Sequence, residues 1–205
     1  MMPLTQVLAV LALAASPVDE PEIRAVAPVL SVGGGYAIPF GNLFKTDAIN
    51  INNAMKGGFP VRGEAGIALW RAWHVVAYVD YAFLDRSDRC EACSGSSLRL
   101  GGQVQFWGSA PYGWTPFIGL GGGWEKLRLD EQQGSLFFSG YEGTLTGGII
   151  YFFTSWLGIG PYFEARVGAY STMDLTILGG SGSQPIRDQA AHGWLVLGVR
   201  LDLWP

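Results

Sequence analysis

From Pro28 to the end of the chain, apolar and polar side chains alternate with a period of two rather than the 3.6 of a helix. The final segment shows the rule most plainly. Leu195, Leu197, Val199, Leu201 and Leu203 fall on one face, and Trp194, Val196, Gly198, Arg200 and Asp202 on the other. The same reading predicts eight strands, at roughly 29–38, 61–70, 74–84, 97–107, 116–125, 141–151, 161–170 and 193–204. Each has about ten residues, the length with which a tilted strand crosses a hydrocarbon core. The connections run about 22, 3, 12, 8, 15, 9 and 22 residues, so long and short alternate. That alternation places every long loop at one end and both termini at the other.

Charge placement turns this pattern into a statement about environment. Of the 13 basic and 17 acidic residues, twenty lie in the N-terminal tail, the connections or the strand ends. The other ten are Arg62, Glu64, Asp80, Arg99, Glu125, Glu142, Glu164, Arg166, Arg200 and Asp202. Within each strand they share one parity, together with Gln103, Gln105, Thr144 and Thr146; the opposite parity carries no charge. A soluble barrel would turn its charges outward and would want roughly 25–35% charged surface residues. Here the polar face carries only about one charge per strand, thinned by Gly, Ala and Thr. The inverted arrangement, apolar outside and polar inside, fits better because lipid does not solvate charge. Closure then follows, since an open sheet edge in lipid leaves backbone groups unpaired.

Composition supports the inversion. Charged residues are 15% of 205, against roughly 25% in ordinary soluble domains, and Gly is 30 of 205. Mean hydropathy is +0.23, yet past residue 18 no stretch approaches the ~18 uncharged apolar residues of a spanning helix. A net charge of −4 argues against nucleic acid as a partner. Aromatic residues group at both strand ends, as two membrane–water interfaces require. Trp70, Trp73, Trp107, Tyr112, Trp114, Phe117, Tyr151, Phe152, Trp156 and Trp204 lie near the short-turn end. Tyr36, Phe40, Tyr81, Phe83, Trp124, Phe138, Tyr141, Tyr170 and Trp194 lie near the long-loop end.

Over about residues 28–204 the chain resembles the small eight-stranded outer-membrane barrels, the OmpA-type transmembrane domain and OmpX-like proteins. The resemblance rests on Pro116-Phe117-Ile118-Gly119-Leu120-Gly121, on Pro161-Tyr162-Phe163-Glu164, and on the alternating last strand ending in Trp204. It implies an all-β, eight-stranded antiparallel up-and-down barrel with short periplasmic turns and long extracellular loops. It also implies a Gram-negative outer membrane, with lipid and lipopolysaccharide as surroundings and the barrel-assembly machinery reading a terminal aromatic. Here Pro205 follows Trp204, a departure from that signal. Pro161 does not donate to a ladder and is expected at the first residue of strand seven or at a bulge.

At the N-terminus, Val7–Ala15 is a short apolar run, and Ala12-Leu13-Ala14 fits a small-residue cleavage site. Residues 1–14 therefore read as a signal peptide, 15–27 as a mature tail and 28–205 as the barrel. Cys90 and Cys93, in the second long loop, suit a small-loop disulfide in an exported protein. Two thiols do not complete a structural zinc site; His74 is expected at a periplasmic turn and His192 above the last strand, so no metal or cofactor is expected. Gly119–Gly123 is followed by Trp124-Glu125 rather than by a helix, which argues for barrel curvature and against a phosphate loop.

Eight strands leave an interior that side chains fill, so the inward charges are expected to form a polar plug, with an ion or proton path as the alternative. The expected role is structural or surface-interacting, through the loops at 39–60 and 171–190; a porin-like narrow channel for small solutes is the alternative. Catalysis on lipid A needs a nucleophile or base at the outer leaflet. The candidates are His192 with Ser171, Ser181, Ser183 or Asp188, whose geometry the sequence does not fix. The expectation is therefore no enzyme.

Overall fold

A computed structural model describes residues 26–42, 55–70, 72–86, 94–108, 113–131, 134–177, 180–187 and 189–204. The signal-peptide and tail segments and the Cys90–Cys93 pair lie outside the described residues. The strands are β1 (Val26–Gly41), β2 (Met55–Leu69), β3 (Trp73–Arg86), β4 (Ser94–Trp107) and β5 (Gly113–Glu131). They continue as β6 (Gly134–Phe152), β7 (Leu157–Ile177), β8 (Gly180–Pro185) and β9 (Ala191–Leu203). Each strand from β1 to β7 pairs antiparallel with the next, β9 pairs with β7, and β1 pairs with β9 from Leu30↔Leu203 to Gly41↔His192. Eight strands thus close an antiparallel barrel, and β8 is an extra strand on the upper end of β7.

The closed ladder puts alternate side chains on opposite sides of one wall. On β9, Leu195, Leu197, Val199 and Leu201 face outward and are exposed, whereas Trp194, Val196, Arg200 and Asp202 are buried inside. The outward set on the other strands is equally apolar, for example Leu30, Val32, Val61, Val75, Val79, Ile118, Leu120, Leu145 and Val167. A sheet that exposes this many large apolar side chains has the exterior of a membrane-spanning barrel. Among the described residues no helix is long and apolar enough to cross a membrane; the strands do so instead.

The strands run further than the period-two reading expects. β5 and β6 continue to Glu131 and Gly134, and β7 continues to Ile177 and folds back as β8. The expected loops at 126–140 and 171–192 are therefore largely a sheet that stands above the barrel. Its register is Arg128↔Phe137, Phe137↔Asp174 and Asp174↔Ser183. The two faces exchange polarity there while the alternation itself continues unbroken. In the lower part of β5 the outward residues are Trp114, Ile118, Leu120 and Trp124. Above Trp124 the outward residues are Lys126, Arg128 and Asp130, and the buried ones are Leu127 and Leu129. The apolar side of one strand changes over where lipid gives way to water.

Pro161 is a second correction. It is the fifth residue of β7 and pairs with Val199 of β9. Toward β6 the ladder skips it: Gly148↔Tyr162 and Tyr151↔Ile159 are paired, and the positions between are not. A residue without N–H is tolerated there because the interruption falls on one side only.

Candidate functional site: the lumen

All ten charged residues placed on one face by the sequence point into the lumen and are buried. Some of their partners sit across the lumen, and others on the same or a neighbouring strand. Arg166 of β7 gives Nη2 to Asp80 Oδ2 at 2.8 Å, on β3, the strand diametrically opposite. Its Nε donates to Glu164 Oε1 at 2.7 Å, and Arg62 of β2 donates to the same carboxylate at 2.6 Å. Arg99 joins Asp80, at 3.0 Å, to Glu125, at 2.6 Å. Nearer the short turns, Arg200 binds Asp202 at 2.7 Å and Glu64 at 3.2 Å, and Ser31 donates to Asp202 at 2.7 Å. Glu64 also accepts from Gln103 at 3.0 Å and from Gln105 at 2.9 Å.

Bonds of this kind explain why so many charges are held in so narrow a space. A buried ion is tolerated when its partners and hydrogen bonds offset desolvation. Glu142 is the exception. Neither of its oxygens accepts a hydrogen bond among the described residues, and the nearest guanidinium nitrogen, Arg99 Nε, is 3.5 Å away. Thr144 Oγ1 and Tyr78 OH are likewise without hydrogen-bond partners there. The Tyr78 hydroxyl lies where a Cβ on Gly101 or Gly123 would come within 2.5 or 2.4 Å of it. Those two glycines therefore leave the floor on which the phenol rests.

The ends of the lumen are apolar, and this the sequence reading missed. Trp107, Phe117, Phe152 and Trp204, assigned to the lower aromatic belt, turn inward instead. Trp107 stacks on Phe117 with centroids 4.5 Å apart and meets Trp204 at 5.0 Å; Phe152 meets Trp204 at 4.5 Å. His74, expected at a turn, is buried in β3 and stacks on Trp107 at 5.1 Å. At the other end Phe138, Tyr170 and Trp194 also turn inward, beside Met55, Leu84, Leu127, Leu129 and Ile186. Parity carried the signal: Trp107 shares the side of Gln103 and Gln105, and Trp194 that of Arg200. The belts keep Tyr36, Phe40, Tyr81, Phe83, Tyr141, Trp70, Trp73, Trp114, Tyr151 and Trp156, which are exposed.

Where the polar layer meets each plug, a guanidinium lies over a ring. Arg200 Cζ is 4.7 Å from the Phe117 centroid below, and Arg99 Cζ is 5.1 Å from Trp194 above. The polar layer is thus closed by apolar rings at both ends.

The residues considered for lipid A chemistry do not assemble. His192 opens β9 inside the barrel, where Nε2 lies 3.0 Å from Glu125 Oε2 and the ring stacks on Tyr170 at 3.8 Å. Ser181 and Ser183 are exposed on β8, Ser171 donates to the Ser139 carbonyl, and Asp188 lies outside the described residues. Among the described residues no three His, Cys, Asp or Glu side chains converge as a metal site.

No protein-family model and no curated protein sequence matches the chain. Several solved structures do match it in fold. Neisserial surface protein A is similar at a TM-score of 0.56 and 14% identity, over 86% of this chain and 98% of that one. The outer membrane protein OprG of Pseudomonas aeruginosa is matched at 0.48 and 12%, over 86% and 96%. The outer membrane protease OmpT of Escherichia coli is matched at 0.43 and 6%, over 90% and 98%. At such identities the likeness concerns the fold, that of the small outer-membrane β-barrel.

Proposed function

We propose that this chain is an integral outer-membrane barrel that does not conduct and that acts, without catalysis, through the surface it raises outside the membrane. The observation behind this reading is the layering of the lumen: cross-wall ion pairs in the middle, stacked rings at both ends. A continuous water path needs polar, spacious lining, and the plugs offer neither. The outer sheet of β5–β8, with the connections between β1 and β2 and between β3 and β4, is then the part left to meet partners. Lipid and lipopolysaccharide surround the wall, and the assembly machinery reads the last strand with Trp204.

Cell fractionation combined with heat-modifiable gel mobility tests the placement. The full chain is expected in the outer-membrane fraction, with folded and boiled forms migrating apart. Planar-bilayer recordings test the seal. Discrete conductance steps from the wild-type protein would overturn the non-conducting reading in favour of a narrow channel. Mass spectra of lipid A from cells with and without the protein are expected to be identical, and a changed profile would overturn the non-enzymatic reading.

A further inference from the structure

The outward face of the raised sheet begins directly above the upper aromatic belt. Trp124 and Tyr141 face each other across β5 and β6, and Lys126 and Arg128 follow on the same side of β5. With a rise of ~3.3 Å per residue and a tilt of about 40°, they stand about 5 and 10 Å above Trp124. Both cations converge on one ring. Lys126 Nζ lies 5.0 Å and Arg128 Cζ 5.6 Å from the Phe137 centroid, so the ring fixes where the two heads sit. Among the described residues Lys126 forms no ion pair, and Arg128 gives only its Nε to Asp130, at 2.8 Å, leaving the two terminal nitrogens of the fork. Burial works against ionisation of Asp130, but the Ser135 hydroxyl and Arg128 more than offset it, so the carboxyl sits below its ordinary range. Arg128 therefore stays clamped at mildly acid pH.

We propose that Lys126, Arg128 and Phe137 form a lateral binding site for the phosphorylated sugar headgroup of an outer-leaflet glycolipid. The inference rests on the outer-membrane reading above. A lateral face a few ångströms above the belt meets the headgroup of a neighbouring lipid, whereas a partner arriving from outside meets the tip of the sheet. A compact ammonium beside an open guanidinium fork suits phosphate oxygens. The row Lys126–Ser139–Thr172 sets hydroxyls beside the lower cation, and the half-buried Phe137 ring beside them suits a sugar face. Asp174 lies across Phe137 from Arg128 and repels anions, which confines the phosphate to the β5 side.

The test uses the full chain in zwitterionic detergent, with retained lipid read by native mass spectrometry. The wild type is expected to retain bisphosphorylated lipid A about tenfold better than lipid A stripped of phosphate, and better than phosphatidylglycerol. Lys126→Gln with Arg128→Gln should erase that advantage, while Arg187→Gln, which removes an exposed cation elsewhere, should keep it. Equal retention of the two lipid A forms by the wild type overturns the site and needs no variant. So does an equal loss in the Arg187 variant, which would mean general charge attraction. A preference for phosphatidylglycerol overturns the sugar-borne assignment. Heat-modifiable mobility verifies that each variant is folded, and a wild type that never inserts into phosphatidylcholine vesicles sinks the membrane reading itself.

Discussion

At the level of Asp80 the lumen is crossed by guanidiniums and carboxylates from opposite strands, while at the level of Trp107 and of Leu127 it is filled by rings and aliphatic groups. Both regions are narrow, and both fill the same cylinder. They differ in what they demand of geometry. An ion pair such as Arg166–Asp80 is worth having only in one register, so the middle layer selects the pairing of strands that are far apart in sequence. The plugs ask only for apolar volume, and they close the cylinder. The middle layer thus specifies the barrel and the ends make it tight.

The sharpest way to break this comparison is to remove a cation from the middle. Arg166→Leu removes the cation shared by Asp80 and Glu164 and leaves them only Arg99 and Arg62, at an expected cost of about 3–5 kcal/mol. Urea unfolding in lipid vesicles measures it, and a change under about 1 kcal/mol would mean that the network does not hold the wall. Arg200→Leu should fall in the same range. Asp202 keeps the Ser31 hydroxyl, and Glu64 keeps Gln103, Gln105 and Arg62.

Trp107→Ala tests an end instead, with an expected loss of about 3 kcal/mol from the emptied volume. Its conductance should stay at zero, because the upper plug still closes the lumen. Only when Leu127→Ser is added should planar bilayers show current. If Trp107→Ala alone conducts, the upper plug is not a seal, and the symmetry drawn between the two ends is wrong.

On the outer wall, Leu197→Arg puts a charge into lipid and should cost about 2–4 kcal/mol. Its neighbour Gly198 faces inward, and the alternation alone suggests that a small polar residue is mild there. The packing says otherwise. A Cβ at Gly198 would sit 2.3 Å from the Gly34 carbonyl oxygen and 2.8 Å from the Tyr162 ring, so Gly198→Ser is expected to destabilise as well. The lumen-side comparison is better made at Thr144.

How far the sequence reaches can be judged at such positions. Period two was enough to sort Leu197 from Arg200, to place all ten lumen charges and to count the eight strands of the barrel itself, because lipid punishes any exception on the outer face. It did not reach the sheet above Trp124, where Leu127 and Leu129 take the inner side and Lys126 and Arg128 the outer. A reading that searches for one constant apolar face ends the strand at that inversion and sees a loop. Nor did it place Trp107, Phe117 or Trp194, since an aromatic near a strand end satisfies the expectation of a belt whichever way it points. Following parity to the last residue would have turned them inward. The crowding at Gly198 was not legible at all, because it depends on how closely the β1 backbone at Gly34 approaches and on a tyrosine from β7.

Thr144→Val gives the smallest expected effect and the finest test. Thr144 shares the lumen with Arg166, is also buried, and pairs with it directly across β6 and β7. Yet its hydroxyl oxygen has no hydrogen-bond partner among the described residues. Replacing an unpartnered polar group by an apolar one of similar shape removes a desolvation cost without breaking a bond, so the change should stay within about 1 kcal/mol and lean toward stabilisation. If polarity as such held the middle layer together, Thr144→Val and Arg166→Leu would move stability in the same direction. If made bonds do, they part company. Vesicle unfolding of the two variants side by side separates these cases, and a loss above about 2 kcal/mol at Thr144 would shift the explanation from pairing to hydration of the lumen.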